Sequence, residues 1–352
     1  MDDILAFINK HKSDNQGTSS WLEETQYSIG GSSIGSFTGS SRTSIEDLVI
    51  DRVFKKRFEN IYMDFGSLME DVCVLYLELV LNTKVYGLGA VPYLVKDQKL
   101  MAHYSMDGLF RANMNPLCEF FPNEEQNYLL EIKFPYCRKI EKYKSNRVKP
   151  IGSCKIPSSY EDQIKMGLIV VSPAEMGVFC DCLARICRLD QMLELKSISP
   201  LFEDPRNEIK DCLATGIIMV FVNNEDLLDK DNVTYKSLTL GNQIVDGIVD
   251  FGTDFKNIIR ALKEDKRGNN EFRLEYHLKL GLQDWSSQIN KTPDLLGVIP
   301  YKLFDIYYGV VEKEEDFLEP YLERIEKVSS LLYESHGLSF DEKMLLLDGK
   351  NV

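Results

Sequence analysis

Apolar and polar positions along this chain alternate between two periods. From Asp64 to Leu81, the residues Phe65, Leu68, Met69, Val72, Leu75, Tyr76 and Leu79 recur at helical spacing and predict a helix with one buried stripe. Residues 2–12 predict a shorter amphipathic helix. The period then shortens: Val85–Val95 and Lys99–Met106 predict strands, Leu109–Ala112 continues a hairpin or meander, and Asn113–Asn127 reads as a loop. Tyr128–Phe134 (YLLEIKF) is apolar almost throughout, as expected of a strand covered on both faces. Tyr160–Val170 predicts a helix and Glu175–Arg185 a further strand. This order predicts an α/β fold, a mixed central β-sheet flanked by helices. Past residue 190, Gly216–Val222 reads as a buried strand, Leu296–Val311 as an apolar and aromatic run, and Thr253–Lys263 and Glu312–Tyr333 as helices. The expected organisation is a core over residues 1–189 and a mostly helical C-terminal extension over 190–352, with strand 216–222 assignable to either.

Two polar stretches interrupt the pattern. Ser28–Ser41 (SIGGSSIGSFTGSS) has the composition of a flexible loop, but Ile29, Ile34 and Phe37 break it. A glycine-rich turn leading into a short helix, with backbone amides facing an anion, is the reading favoured. Arg138–Lys155 carries Arg138, Lys139, Lys142, Lys144, Arg147 and Lys149 against Glu141. Such a run is either a solvated loop or a track for phosphates.

The net charge of −14 argues against a protein that coats nucleic acid over its whole surface. A local basic channel remains compatible with it, because charges act within a screening length of roughly 8–10 Å. The 8 cysteines include no CxxC pair, which points to a reducing, intracellular setting. The start MDDILAFINKHK lacks the apolar core of a secretory signal, and no apolar run is long enough to span a bilayer.

The chemistry concentrates in a few polar residues set among apolar ones. On a strand, Glu131 and Lys133 share one face while Leu130, Ile132 and Phe134 share the other. An ion pair on a largely buried strand is costly without a partner or a task; the alternative is a surface pair on an edge strand. Asp107, in SMDG, belongs either to a hairpin turn or to the end of the Lys99–Met106 strand beside that of Glu131. Glu70 has the uncharged helical neighbours Gly66, Cys73, Val74 and Leu77, and reads as an acid at the edge of a core stripe or as part of a site. Gln163 lies on an apolar helix face, as a satisfied core amide or as a site residue.

Taken in order, Trp21 with IGGSSIGSFTG, FGSLMED, SMDG, LLEIKFP and PSSYEDQIKMGL resemble the PD-(D/E)xK nuclease superfamily. Within it the resemblance is to the lambda-exonuclease/YqaJ viral recombinase family, over roughly residues 18–186. The later IPYKLF and the acidic stretch after it resemble the alkaline exonucleases of large DNA viruses. The resemblance implies a restriction-endonuclease-like core. It implies Mg²⁺, or Mn²⁺, held by Asp107, Glu131 and the carbonyl of Ile132, with Glu70 completing the cluster directly or through water. Lys133 would position and help deprotonate the attacking water, and Gln163 would assist it. Ser32 and Ser105 would line a 5′-phosphate pocket, and Arg138, Lys139, Lys142, Lys144 and Arg147 would follow the DNA strand.

The implied activity is a 5′-to-3′ exonuclease on linear duplex ends that leaves 3′ single-stranded tails for viral recombination or genome processing. Duplex DNA ends, a single-strand annealing protein and a homotrimeric ring are the implied partners, with no membrane, in the cytoplasm or nucleus of an infected cell. The competing readings are a metal-dependent endonuclease, a DNA/RNA nuclease of the same superfamily, and a catalytically silent DNA-binding protein. No iron–sulfur cluster is expected, because Cys180, Cys182 and Cys187 lack ligand spacing. One departure stands out: the family's phosphate-facing arginine, four residues after the tryptophan, is Thr25 here. Arg42, Arg52 and Arg57 are the candidate substitutes.

Overall fold

The computed structural model describes residues 2–11, 25–54, 60–136, 155–193, 212–223, 231–265, 271–292 and 294–348, with positions 23 and 229. In chain order, the first half holds α1 (Asp2–Lys10), β1 (Ile29–Gly30), α2 (Gly35–Thr38), α3 (Ile45–Val53), α4 (Ile61–Leu81), β2 (Ala90–Lys96), β3 (Lys99–Ser105), β4 (Gly108–Ala112), β5 (Gln126–Lys133), α5 (Ser158–Val170) and β6 (Met176–Ile186). The second half holds β7 (Ala214–Val222), α6 (Val233–Thr239), β8 (Gln243–Val245), β9 (Ile248–Asp250), α7 (Lys256–Asp265), β10 (Phe272–Leu280), α8 (Ser286–Ile289), β11 (Leu295–Glu312), α9 (Leu322–Glu334) and α10 (Phe340–Asp348).

The fold is mixed α/β. The larger sheet runs β10-β7-β11-β6-β5-β4, with β8 and β9 attached beside β11, and a small sheet runs β1-β3-β2. Strands β5 and β6 are parallel, the arrangement that needs a crossover, and α5 supplies it. The neighbouring pairs β4–β5, β6–β11, β11–β7 and β7–β10 are antiparallel. Every residue of β5 between its two ends is buried, which accounts for its unbroken apolar reading around Glu131.

Helix α4 starts where the Asn60 side chain accepts the Tyr62 N–H at 2.9 Å and ends at Asn82, whose left-handed φ of 48° closes it. Its stripe of Phe65, Met69, Val72 and Leu77 packs on one sheet face with Leu130, Ile132, Cys180, Cys182 and residues of α7. The opposite face is covered by α5, the small sheet, α3 and α9, in a second core containing Leu129, Phe179, Tyr104, Ile164, Val49 and Ile325. Among the described residues no helix is long and apolar enough to cross a membrane.

Two expectations are corrected. The extension is not mostly helical: β7, β10 and β11 continue the large sheet, and among the described residues past 190 the longest helix, α9, has 13 residues. The runs ATGIIMVFV and LLGVIPYKLFDIYYGVVE are β-branched, aromatic and almost wholly buried, which suits strands covered on both faces. The helix expected from Glu312 begins only at Leu322. Glu312 ends β11, and Pro320 sits in a single 3₁₀ turn that precedes the helix. The second correction concerns β3. It lies in the small sheet, and the strands beside that of Glu131 are β4 and β6.

Ile218 of β7 is fully buried and pairs with Tyr276 of β10 and Ile299 of β11. Ile218→Ala is expected to cost about 2–5 kcal/mol and to lower one cooperative urea transition. A separate early transition, leaving the rest at its wild-type midpoint, would show that the later strands melt apart from the sheet.

Candidate active site

Two strands bring the acids together. The antiparallel register of β4 on β5 sets Gly108 opposite Leu130, and one step further brings Asp107 level with Glu131. Asp107 Oδ2 accepts the Ile132 N–H at 2.7 Å, so the carboxylate is tied to the strand that carries its neighbour. Glu131 is 0% exposed. Its Oε1 accepts from Lys133 Nζ and from Gln163 Nε2, the latter at 2.7 Å, and its Oε2 accepts from the Tyr104 hydroxyl at 3.1 Å. The Lys133 ammonium also stands 5.3 Å from the centre of the Tyr160 ring.

These groups change one another's proton affinities. Burial, then the charges of Glu131 and Glu70, push the Asp107 carboxyl well above the ordinary range, against the opposing pull of Lys133 and the Ile132 N–H. Burial alone would lower Lys133, but Glu131, Asp107 and Glu70 outweigh it. The ammonium is held above the usual lysine value and stays charged at neutral pH. Burial and the charges of Glu131 and Asp107 keep the Tyr104 hydroxyl protonated, hence a donor.

A cavity of about 1030 Å³ opens over this group, lined by Glu70, Asp107, Glu131, Ile132, Lys133 and Gln163, and further along by Thr25, Gly30, Gly31, Ser32, Arg52, His103 and Ser105. The second set forms an anion-compatible end. Ser28–Ser41 is a tight turn, with a 3₁₀ segment at Gly31–Ser33 followed by α2. Arg52, reaching in from α3, donates to the Ser28 carbonyl and, at 2.9 Å, to the Ser33 hydroxyl. Burial lowers its pKa only to about 10, so it keeps its charge. His103, lowered to about 4 by burial and by Arg52, is neutral at pH 7 and hydrogen-bonds the Ser28 hydroxyl.

Glu70, Asp107, Glu131, Ile132, Lys133, Gln163, Ser32 and Ser105 therefore share one cavity. Of the three arginines considered as substitutes at Thr25, Arg52 lines it and Arg42 is exposed. Arg57, Trp21 and the basic residues Arg138, Lys139, Lys142, Lys144, Arg147 and Lys149 lie outside the described residues. Cys180 and Cys182 sit in the core against α4, and Cys187 lies in a separate cluster beside Met192. Sequence reasoning missed Tyr104, His103 and the ring pair of Tyr62 and Tyr136, with centroids 4.9 Å apart, at the rim. The His-Tyr pair before SMDG is the only hint of the first two, since alternation puts His103 and Ser105 on one side and Tyr104 on the other.

The donors suit a hard dication. Magnesium is usually held by one or two carboxylates and leaves positions for water and phosphate. Asp107 and Glu131 are of that type, and the raised proton affinity of Asp107 is the mark of negative charge that a dication would offset. Among the described residues no three His, Cys, Asp or Glu side chains stand close enough to hold one ion, so the site offers two carboxylates rather than a closed cage. Glu70 borders the cavity and acts on it through its charge.

No family model matches the chain. It is similar to Protein D345L of African swine fever virus, a large DNA virus. Identity is 22% over 323 residues with the isolate Tick/South Africa/Pretoriuskop Pr4/1996, covering 87% of this chain and 83% of that protein. With the isolate Tick/Malawi/Lil 20-1/1983 it is 21% over 342 residues, covering 93% and 87%. Among solved structures, an alkaline exonuclease (LHK-Exo) from Laribacter hongkongensis shows a loose likeness. Its TM-score is 0.31 at 13% identity, over 47% of this chain and 73% of that one.

A carboxyl with a raised folded pKa keeps a proton that the unfolded chain has already released. Between the ordinary carboxylate value and that of folded Asp107, the folded state binds more protons, so stability falls as pH rises. In chelator, wild type is therefore expected to lose more thermal stability than Asp107→Asn as pH rises above the ordinary carboxylate range. Magnesium should raise the melting temperature of wild type more than that of the variant. Equal pH slopes and equal magnesium responses would contradict a strained, shared acidic site.

Proposed function

We propose that this protein is a magnesium-dependent deoxyribonuclease with a restriction-endonuclease-like core, acting 5′-to-3′ on the ends of linear duplex DNA. The observation that carries the reading is the junction in one cavity of an acidic end, Asp107 and Glu131 with Lys133 and Gln163, and an anion-binding end, Arg52 with the glycine turn. A scissile phosphate belongs at the first and a terminal phosphate at the second. The spacing of the motifs and the similarity to a viral protein support the setting of recombination or genome processing. By resemblance, a homotrimeric ring and a single-strand annealing partner complete the proposal.

Each residue has a physical task in this reading. Magnesium, held by Asp107 and Glu131 with the Ile132 main chain, would supply the charge that makes a bound water acidic and offsets the charge growing on the phosphate. Lys133 is charged at neutral pH, so it orients the attacking water and stabilises hydroxide rather than removing the proton itself. Gln163, bonded to Glu131, helps fix the direction of the carboxylate and presents its amide toward the water or the phosphate. Arg52 supplies the cation that Thr25 does not. Its guanidinium is held by Ser28 and Ser33 in advance, so little rotamer freedom is lost on binding a phosphate. Ser32 and Ser105, on the same wall, offer hydroxyls.

The test is duplex DNA labelled at the 5′ or the 3′ end and incubated with magnesium. Wild type is expected to shorten strands from 5′ ends, and Lys133→Ala to lower kcat by about 10²–10³-fold. Arg52→Ala should reduce the preference for 5′-phosphorylated over 5′-hydroxyl ends while internal chemistry persists. Loss from 3′ ends would reverse the polarity, and no magnesium-dependent loss from any end would reject the nuclease.

A further inference from the structure

We propose that Tyr104 is a positioning residue that fixes the plane of the Glu131 carboxylate and holds the glycine turn in register with it; this rests on the metal-dependent nuclease reading. Lys133 and Gln163 both reach Glu131 Oε1, and Tyr104 reaches Oε2, at 3.1 Å. The last torsion of a glutamate is broad and soft, so a carboxylate held at one oxygen still turns. Held at both, it presents fixed lone pairs to an ion.

Tyr104 is not on the cavity wall, and it is 0% exposed. It acts on the reacting groups only through Glu131. Its ring is clasped from two sides. A Cβ on Gly31 would stand 2.6 Å from ring carbon Cδ2, and one on Gly167 would stand 2.5 Å from Cζ. Two glycines thus let the turn and α5 close on the ring. The parallel pairing of Gly30 with His103 sets the turn beside Tyr104 in the small sheet. One side chain therefore joins the anion-binding turn to the carboxylate, so a shift in the turn reaches Glu131 through the ring.

Outer partners of metal-holding carboxylates influence affinity by about 10–100-fold. Calcium titration calorimetry on the full chain reads this without cleavage. Tyr104→Phe keeps the ring and is expected to weaken calcium binding about tenfold or more, to lower kcat, and to leave the KM for DNA within about twofold. Gly31→Ala, whose Cβ would press on the ring at 2.6 Å while meeting Gln163 Cγ only at the ordinary contact distance of 3.4 Å, should weaken calcium binding through the displaced ring. Gly87→Ala, with open space around its Cβ, should not.

Wild-type calcium affinity in Tyr104→Phe overturns the proposal while the nuclease reading stands. If Tyr104→Phe does not fold, Gly31→Ala decides, and unchanged affinity there overturns it. A wild type that neither takes up calcium nor cuts DNA removes the nuclease reading and the proposal with it.

Discussion

Glu131 is a carboxylate on an interior strand of the large sheet, shut away from solvent, and the arrangement around it answers that one difficulty. A buried charge is tolerated only when its lone pairs are met by donors. Here they are met by an ammonium, an amide and a phenol from three separate elements, β5, α5 and β3. Asp107, tied to the Ile132 amide of the neighbouring strand, adds a second carboxyl beside the first, one that holds its proton until a cation offsets its charge. The local balance is short of positive charge, which makes the place a receptor for a dication rather than a finished ion pair.

The architecture follows from supplying those donors. The parallel β5–α5–β6 unit carries Gln163 back over Glu131, and the small sheet brings Tyr104 and the glycine turn to the same face. The second half of the chain contributes support. Strand β11 runs beside β6 for most of its length, and α9 packs over the small sheet, where Ser329 donates to the Tyr27 carbonyl at 2.7 Å. The residues that form the turn are thereby braced by a helix some three hundred positions away in sequence.

Much of this was legible in the sequence where the pattern was local. The stripe of α4, the buried run of β5 and the face shared by Glu131 and Lys133 are properties of spacing alone, and the structure carries them, except that toward the end of α4 Leu79 is exposed and Cys73 and Leu77 take the buried positions. Pairings between distant segments were not legible. The Lys99 strand was expected beside that of Glu131 because Asp107 follows it, yet the chain turns at Asp107 and β4 makes the contact. Likewise, an acidic stretch after β11 suggested a helix, and nothing in its composition revealed that Pro320 would delay the start or that 295–312 would be the longest of the described strands. Arg52 was one of three equal candidates, because only tertiary packing separates an arginine facing a cavity from one facing water. Tyr104 offered no signal beyond its place in an alternating run.

The central claim is that Asp107 and Glu131 form one oxygen site for a divalent ion. Anomalous diffraction from crystals soaked in manganese locates such an ion directly. The account predicts a peak within coordination distance of both carboxylates. A peak elsewhere, or none while the Lys133–Glu131 pair persists unchanged, would contradict it.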